Sequence, residues 1–269
     1  MLRLWSLLRI IFKCGLVATA MGPTPSLGIW GGQPLDLAFF PYTVHFTGHI
    51  DCTGIVIDPS TILTAAHCLD DGSTIVRPDK IRLVDERRHV FSVLTTIKSP
   101  SYEPGFAQRP SLEHARSDLA LIRVRQNLFE RLGIVRLPFL IGPPSIRQDP
   151  VRYMMIRGFA PISAKQSAQL SQAAAVVLSQ TDGRITTRMI EPGVTTCAGD
   201  SGGGAWEYVD HGRFLVGINS VKTRGPCGAE NTVSEFVDII PHLCWIKENA
   251  PAAPVSLPAG MECPTATAR

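Results

Sequence analysis

The sequence predicts an all-β fold, a sandwich or a barrel, built in two halves. Two observations carry this. Short β-branched and apolar runs recur along the chain, and Gly and Pro punctuate them, with 23 Gly and 21 Pro in 269 residues. A Pro-rich stretch, Gly142-Pro143-Pro144 through Pro150, then reads as a linker between the halves.

In the first half, Gly54–Ile57 and Thr61–Thr64 flank Asp58-Pro59-Ser60, a strand–turn–strand pattern. Ile81–Val84, Val90–Leu94 and Leu119–Val124 add strands. In the second half, Tyr153–Ile156, Ala174–Leu178 and Phe214–Val221 read as strands, with Met154, Met155 and Phe214 as core. Lys165, Arg184 and Arg188 are assigned to exposed loops, and the Asp70-Asp71 pair to a solvated surface. After Pro241, His242–Asn249 is expected to form a short helix with Leu243 and Ile246 on one face. The tail 250–269, rich in Ala and Pro, is expected to be extended, with Cys263 able to pin it.

Composition bounds the function. With 45% apolar and 18% charged residues the chain is globular, and it is long enough to bury roughly 70–75% of its unfolded surface without a metal. A formal charge of +3 is too small for a nucleic-acid footprint, so no nucleic-acid partner is expected. Residues 1–20 carry Arg3, Arg9 and Lys13, an apolar stretch and Ala18-Thr19-Ala20, a small-x-small cleavage pattern, so they read as a secretory signal. Because Arg9 and Lys13 interrupt the apolar stretch, a transit sequence or an uncleaved anchor is the alternative. No later run approaches about 18 apolar residues, so no stable membrane association is expected. Six cysteines remain after the leader: Cys52, Cys68, Cys197, Cys227, Cys244 and Cys263. An even count in an exported chain points to three disulfides. Without a CxxC pair or a His cluster, no metal and no other cofactor is expected.

Three short motifs carry chemistry. Thr64-Ala65-Ala66-His67-Cys68 supplies an imidazole, Ser117-Asp118-Leu119-Ala120-Leu121 a carboxylate, and Gly199-Asp200-Ser201-Gly202-Gly203-Gly204 a hydroxyl on a flexible turn. A lone serine among glycines is usually a turn and a lone histidine usually surface or satisfied core, the reading given to His45, His49, His89, His114, His211 and His242. The three motifs together are the inventory for acyl transfer by an activated serine.

With Ile29-Trp30-Gly31-Gly32, Val216-Gly217-Ile218-Asn219-Ser220 and Cys244-Trp245-Ile246-Lys247 in the same order, the chain resembles the chymotrypsin/trypsin-like serine peptidases from Ile29 to about Asn249. The resemblance implies two packed six-stranded antiparallel β-barrels, at about 29–141 and 151–240, with a short C-terminal helix and the active site between them. It implies a secreted endopeptidase acting on protein or peptide substrates, with protein inhibitors as further partners. Ser201 would be the nucleophile, His67 the general base and then acid, and Asp118 the group that orients His67. The N–H groups of Gly199 and Ser201 would form the oxyanion hole, where one donor is worth roughly 3–4 kcal/mol. Asp200 would pair with the α-amine of Ile29 once residues 21–28, a short propeptide, are removed. Matching positions pair Cys52 with Cys68 and Cys197 with Cys227, and counting leaves Cys244 for Cys263.

Several positions depart from the family pattern. Gly28 precedes Ile29 where a basic residue is usual, Trp30 replaces a small aliphatic residue, and Phe159-Ala160 stands for Trp-Gly. Gly204 stands where proline is usual. Thr195, at the base of the specificity pocket, is not a carboxylate, which disfavours cleavage after Arg or Lys. Lys222 and Thr232 flank the pocket beyond Ser220 and would narrow it, giving a preference for small aliphatic residues or, with Lys222 as partner, acidic ones. The 103–116 insertion is expected to overhang the cleft. Gly28 and Lys222 keep open a second reading, a catalytically silent homologue acting as a binding module, and the leader keeps open an organellar peptidase.

Overall fold

The computed structural model describes residues 29–47, 50–70, 82–84, 90–105, 115–144, 151–160, 169–222 and 225–264. The leader 1–20, the segment 21–28, residues 106–114 of the insertion, residues 145–150 of the linker and Lys165 lie outside the described residues.

Strands dominate, in the order β1 (Gln33–Pro34), β2 (Thr43–Thr47), β3 (Asp51–Asp58), β4 (Thr61–Thr64), β5 (Arg82–Val84), β6 (Val90–Lys98) and β7 (Ala120–Val124). The second half adds β8 (Leu140–Ile141), β9 (Tyr153–Ala160), β10 (Gln169–Thr181), β11 (Arg184–Met189), β12 (Gly204–Val209), β13 (Gly212–Lys222) and β14 (Val233–Asp238). Among the described residues two short α-helices, α1 (Leu128–Leu132) and α2 (Leu243–Asn249), join these strands, with 3₁₀ turns at Leu37–Phe39, Ala66–Leu69 and Ile240–His242.

The first half is a closed barrel in the order β2-β3-β4-β7-β6-β5. Its expected turn is real: Asp58 Oδ1 accepts the Ser60 N–H at 2.8 Å, an Asx turn that lets β3 reverse into β4. β3 is buried from Cys52 to Asp58, because one face lines this barrel and the strand also packs against β9 of the second half. There the antiparallel pairings run β9–β10–β11–β14–β13–β12 and return to β9 through Ala205↔Ile156 and Trp206↔Met155. β1 adds to β10 and β8 pairs parallel with β13. The fold class is thus the all-β, barrel-based one expected. Arg184 and Arg188 lie on β11 rather than in a loop; Ile185, Thr187 and Met189 alternate inward, so both arginines take the outer positions of a half-buried strand.

One core cluster, with Ile55, Ile62, Leu121 and Ile122, fills the first barrel and extends to Trp206 and Leu215 of the second. Tyr42, Phe139 and Trp206 join them as mutually tilted rings with centroids 4.9–5.6 Å apart. Helix α2 docks through Leu243 and Ile246, both fully buried, at about 1.5–3 kcal/mol each. The tail beyond it, expected to be extended, instead turns at 251–252 and 259–260, and it is held. Ile141 N–H donates to Pro254 O, Ser256 N–H donates to Ile141 O, and Cys263 bonds to Cys244. Among the described residues no helix is long and apolar enough to cross a membrane.

Candidate active site

β4 runs into a one-turn 3₁₀ helix, Ala66–Leu69, that presents His67, while Asp118 stands at the head of β7, the strand paired with β4. That neighbouring register brings the two together. Asp118 Oδ1 accepts the His67 backbone N–H at 2.7 Å, and Oδ2 lies 2.6 Å from His67 Nδ1. The Ser220 hydroxyl donates to the same Oδ2 at 2.6 Å. Ser220, expected in the substrate cleft, therefore spends its side chain on the carboxylate. Asp118 is fully buried and held from three directions, which fixes the orientation of the imidazole. Burial lowers the His67 pKa; the charge of Asp118, its hydrogen bond and the charge of Asp70 outweigh this, and the net shift is upward.

Asp70 belongs to this environment. It is 1% exposed, and its Oδ2 accepts the Tyr102 hydroxyl and the Gly105 N–H, each at 2.8 Å. The expectation of a solvated acidic pair is corrected for Asp70, because Tyr102 and Gly105, in the segment that follows β6, bond to its carboxylate.

The loop carrying Ser201 needs glycine. Gly199 and Gly202 have φ of 98° and 82°, and a Cβ on Gly202 would collide with the Thr64 hydroxyl and the Thr53 carbonyl. Thr53, which sequence reasoning passed over, pins this loop. Its N–H donates to Ser201 O at 2.8 Å, its hydroxyl donates to Gly199 O at 2.8 Å, and the same hydroxyl accepts the Phe159 N–H at 2.8 Å. The neighbouring Cys52 is disulfide-bonded to Cys68, the residue after His67. The two chemistry-bearing loops are thus fastened to adjacent residues of β3. Donor atoms of His67, Cys52 and Cys68 lie within 4.8 Å of one another, but the two sulfurs are bonded together and offer no thiolate to a metal.

Asp200 is fully buried. Its Oδ2 accepts the Cys197 N–H at 2.7 Å, whereas Oδ1 has no partner among the described residues. Burial pushes its pKa up to about 8, against a smaller downward pull from the Cys197 N–H. Ile29 is also fully buried, and the next residue is stitched to the base of the loop: Trp30 N–H donates to Thr195 O at 2.9 Å and Thr195 N–H to Trp30 O at 3.1 Å.

Around the expected specificity pocket, the Thr195 hydroxyl accepts the Gly228 N–H at 2.9 Å, and the Thr232 hydroxyl donates to Ala229 O at 2.7 Å. The Lys222 ammonium donates to Gly225 O at 2.6 Å. The Cys197–Cys227 disulfide closes this region, and the Trp30 indole fills the space a Cβ on Gly228 would need. A cavity of about 370 Å³ lies behind it, lined by Met189, Val194, Ala229 and Thr232 among others; Thr195, Ser220 and Lys222 do not line it.

Residues 29–246 match the family model described as Trypsin. The chain is similar to submandibular glandular kallikrein-9 of Rattus norvegicus, 26% identical over 233 residues that cover 81% of this chain and 88% of that protein. It is similar to CLIP domain-containing serine protease B4 of Anopheles gambiae, 24% identical over 282 residues that cover 86% and 74% of the two chains. With coagulation factor XII of Cavia porcellus it is 27% identical over 225 residues, 74% of this chain but only 36% of that protein, so it spans about a third of that relative's length. A match to the family model over most of its length places this chain in the trypsin family of serine peptidases.

Proposed function

We propose that the chain is a secreted serine endopeptidase that hydrolyses peptide bonds through Ser201, His67 and Asp118. The observation that carries this reading is the His67 imidazole held by Asp118 at 2.6 Å, on loops tied through Cys52 and Thr53 to the turn that bears Ser201. His67 takes the Ser201 proton during attack and returns it to the leaving amine; Asp118 stabilises the imidazolium formed between those steps. The N–H groups of Gly199 and Ser201 receive the developing oxyanion. The relative named as a serine protease supports the same chemistry.

Release of the Ile29 amine by cleavage after Gly28 is the proposed switch. Support comes from Asp200, whose carboxyl is buried with one oxygen unpartnered, a site that an ammonium would complete. Losing one member of such a buried pair costs roughly 3–5 kcal/mol.

Primary specificity is for small aliphatic residues. No carboxylate stands at Thr195, so Arg and Lys find no counter-charge, and the Lys222 ammonium is already engaged by Gly225 O, which favours the aliphatic over the acidic preference. A peptide library varied at the residue before the scissile bond tests both claims. Processed protein should cut after small aliphatic residues, and Ser201→Ala should lose at least about 10⁴-fold in kcat. Efficient cleavage after Arg would overturn the specificity, and undiminished turnover by Ser201→Ala would overturn the mechanism.

A further inference from the structure

Asp118 projects from a short turn, 115–118, that leads into β7. Within the turn the Asp118 N–H donates to Ala115 O at 3.4 Å, and just past it the Ser99 N–H donates to Leu119 O at 2.8 Å. His67 and Ser220 hold the oxygens of the Asp118 carboxylate. The main chain from which that carboxylate projects is held by further contacts, and these come from the second barrel.

Arg116, two residues before Asp118, is where they meet. The His242 imidazole reaches it across 126 residues of sequence, with Nε2 2.9 Å from Arg116 O. A carbonyl oxygen only accepts, so Nε2 carries the proton and donates. His242 is 8% exposed and ends the 3₁₀ turn Ile240–His242 that leads into α2. Its own N–H donates to Ile239 O at 3.0 Å, and its ring meets that of Trp245 edge-on, with centroids 6.5 Å apart. Burial pushes its pKa down, against the bond to Arg116 and the charge of Asp238, and the net shift is downward, so the ring is neutral near pH 7. The β10–β11 turn closes on the same residue. Gly183, at a φ of 72°, lies beside it: a Cβ there would stand 3.4 Å from Arg116 Cβ and 3.8 Å from Pro241 Cγ. Gly183 O accepts the Asp238 N–H at 2.8 Å, and Asp238 Oδ1 accepts the Ile240 N–H at 3.0 Å. The hairpin tip, the end of β14 and the 3₁₀ turn are thus bonded into one unit. From it a single neutral donor points at the turn that carries Asp118.

We propose that His242 is a positioning residue for the His67–Asp118 pair, fixing the Arg116 peptide and so the main chain from which the Asp118 carboxylate projects. His242 touches neither member of the pair in this role; it acts through the turn. The 2.6 Å contact between Asp118 Oδ2 and His67 Nδ1 leaves little room for that turn to drift. A displacement of about 1 Å at such a group can cost on the order of 100-fold in rate. The kinetic part of this inference rests on the peptidase reading. The structural part does not, because the bond between His67 and Asp118 stands whatever the chain turns over.

The test compares His242→Phe, which keeps a ring and removes the donor, with His242→Gln, which keeps an N–H near the Nε2 position. On each, the His67 imidazole is titrated by NMR, kcat and KM are measured on processed protein, and the urea midpoint is recorded. His242→Phe should lower the His67 pKa, as Asp118 then opposes burial less well, and lower kcat by about 10-fold with KM within about twofold. His242→Gln should bring both back towards the wild type. Should the Phe variant not fold, His242→Asn, whose amide is one methylene shorter, takes its place. A Phe variant that loses stability but keeps the wild-type His67 titration would make this histidine merely structural and overturn the proposal. So would a Gln variant no better than Phe. If the wild type turns over no peptide, the peptidase reading fails, and the His67 titration alone decides the role of His242.

Discussion

Thr53 shows how one hydroxyl can set the geometry of a loop it does not belong to. It donates to Gly199 O and accepts from Phe159 N–H, so a valine there would strand two buried backbone groups at about 1–3 kcal/mol each. Thr53→Val is expected to lower kcat by about 10–100-fold with a smaller change in KM, because the Gly199 peptide loses its anchor; Thr53→Ser should restore most of the rate. Equal kinetics for the Val and Ser variants would contradict this. For the imidazole, a proton titration by NMR should place His67 above its ordinary value of 6.5, and Asp118→Asn should lower it as burial meets less opposition. Because catalysis needs the neutral base, the rate falls as pH drops through that raised value. His67 and Asp118, which the structure brings together, were legible because each sits inside its own short motif. Thr53 and Asp70 were not, since their partners lie 146, 106, 35 and 32 residues away and leave no local trace.

At the scale of elements, the 195–204 loop holds an ionisable group under tension. In the unprocessed chain the Asp200 pKa is raised from 3.8 to about 8. A raised carboxyl contributes its stability below about pH 4 and loses it as pH rises towards 8, since the unfolded chain ionises freely and the folded one does not. Urea unfolding of the unprocessed chain should therefore weaken by several kcal/mol across that window, and Asp200→Asn should flatten the dependence; a flat wild-type profile would contradict it. The C-terminal element makes a separate prediction. The Cys244–Cys263 disulfide closes a 19-residue separation, so Cys263→Ser should cost up to about 3 kcal/mol of stability and leave kcat unchanged, as no backbone bond runs from the described tail residues to the catalytic loops. Strand legibility followed composition. Thr61–Thr64 and Phe214–Val221 announced themselves, whereas β12 opens on Gly204, which reads as punctuation, and β11 mixes two arginines with an inward Ile185, Thr187 and Met189.

Over the whole molecule, strand runs alone allowed a sandwich or a barrel, and the resemblance to a family was needed to choose two barrels. The reason is physical. Closure depends on pairings between distant segments, β2 with β5 and β9 with β12, and on the Tyr42–Phe139–Trp206 contact between the halves, none of which has a sequence period. The same long-range assembly sets Asp118 of one barrel 2.6 Å from the Ser220 hydroxyl of the other and ties Thr53 to Ser201 O, so the proposal stands or falls on whether that junction activates a serine. The direct measurement is intact-mass analysis after exposure to a fluorophosphonate, on protein whose terminus is a free Ile29, beside Ser201→Ala. The account predicts one phosphonyl adduct on the wild type and none on the variant. An unlabelled wild type with its Ile29 amine free, or an adduct that survives the loss of Ser201, would contradict it.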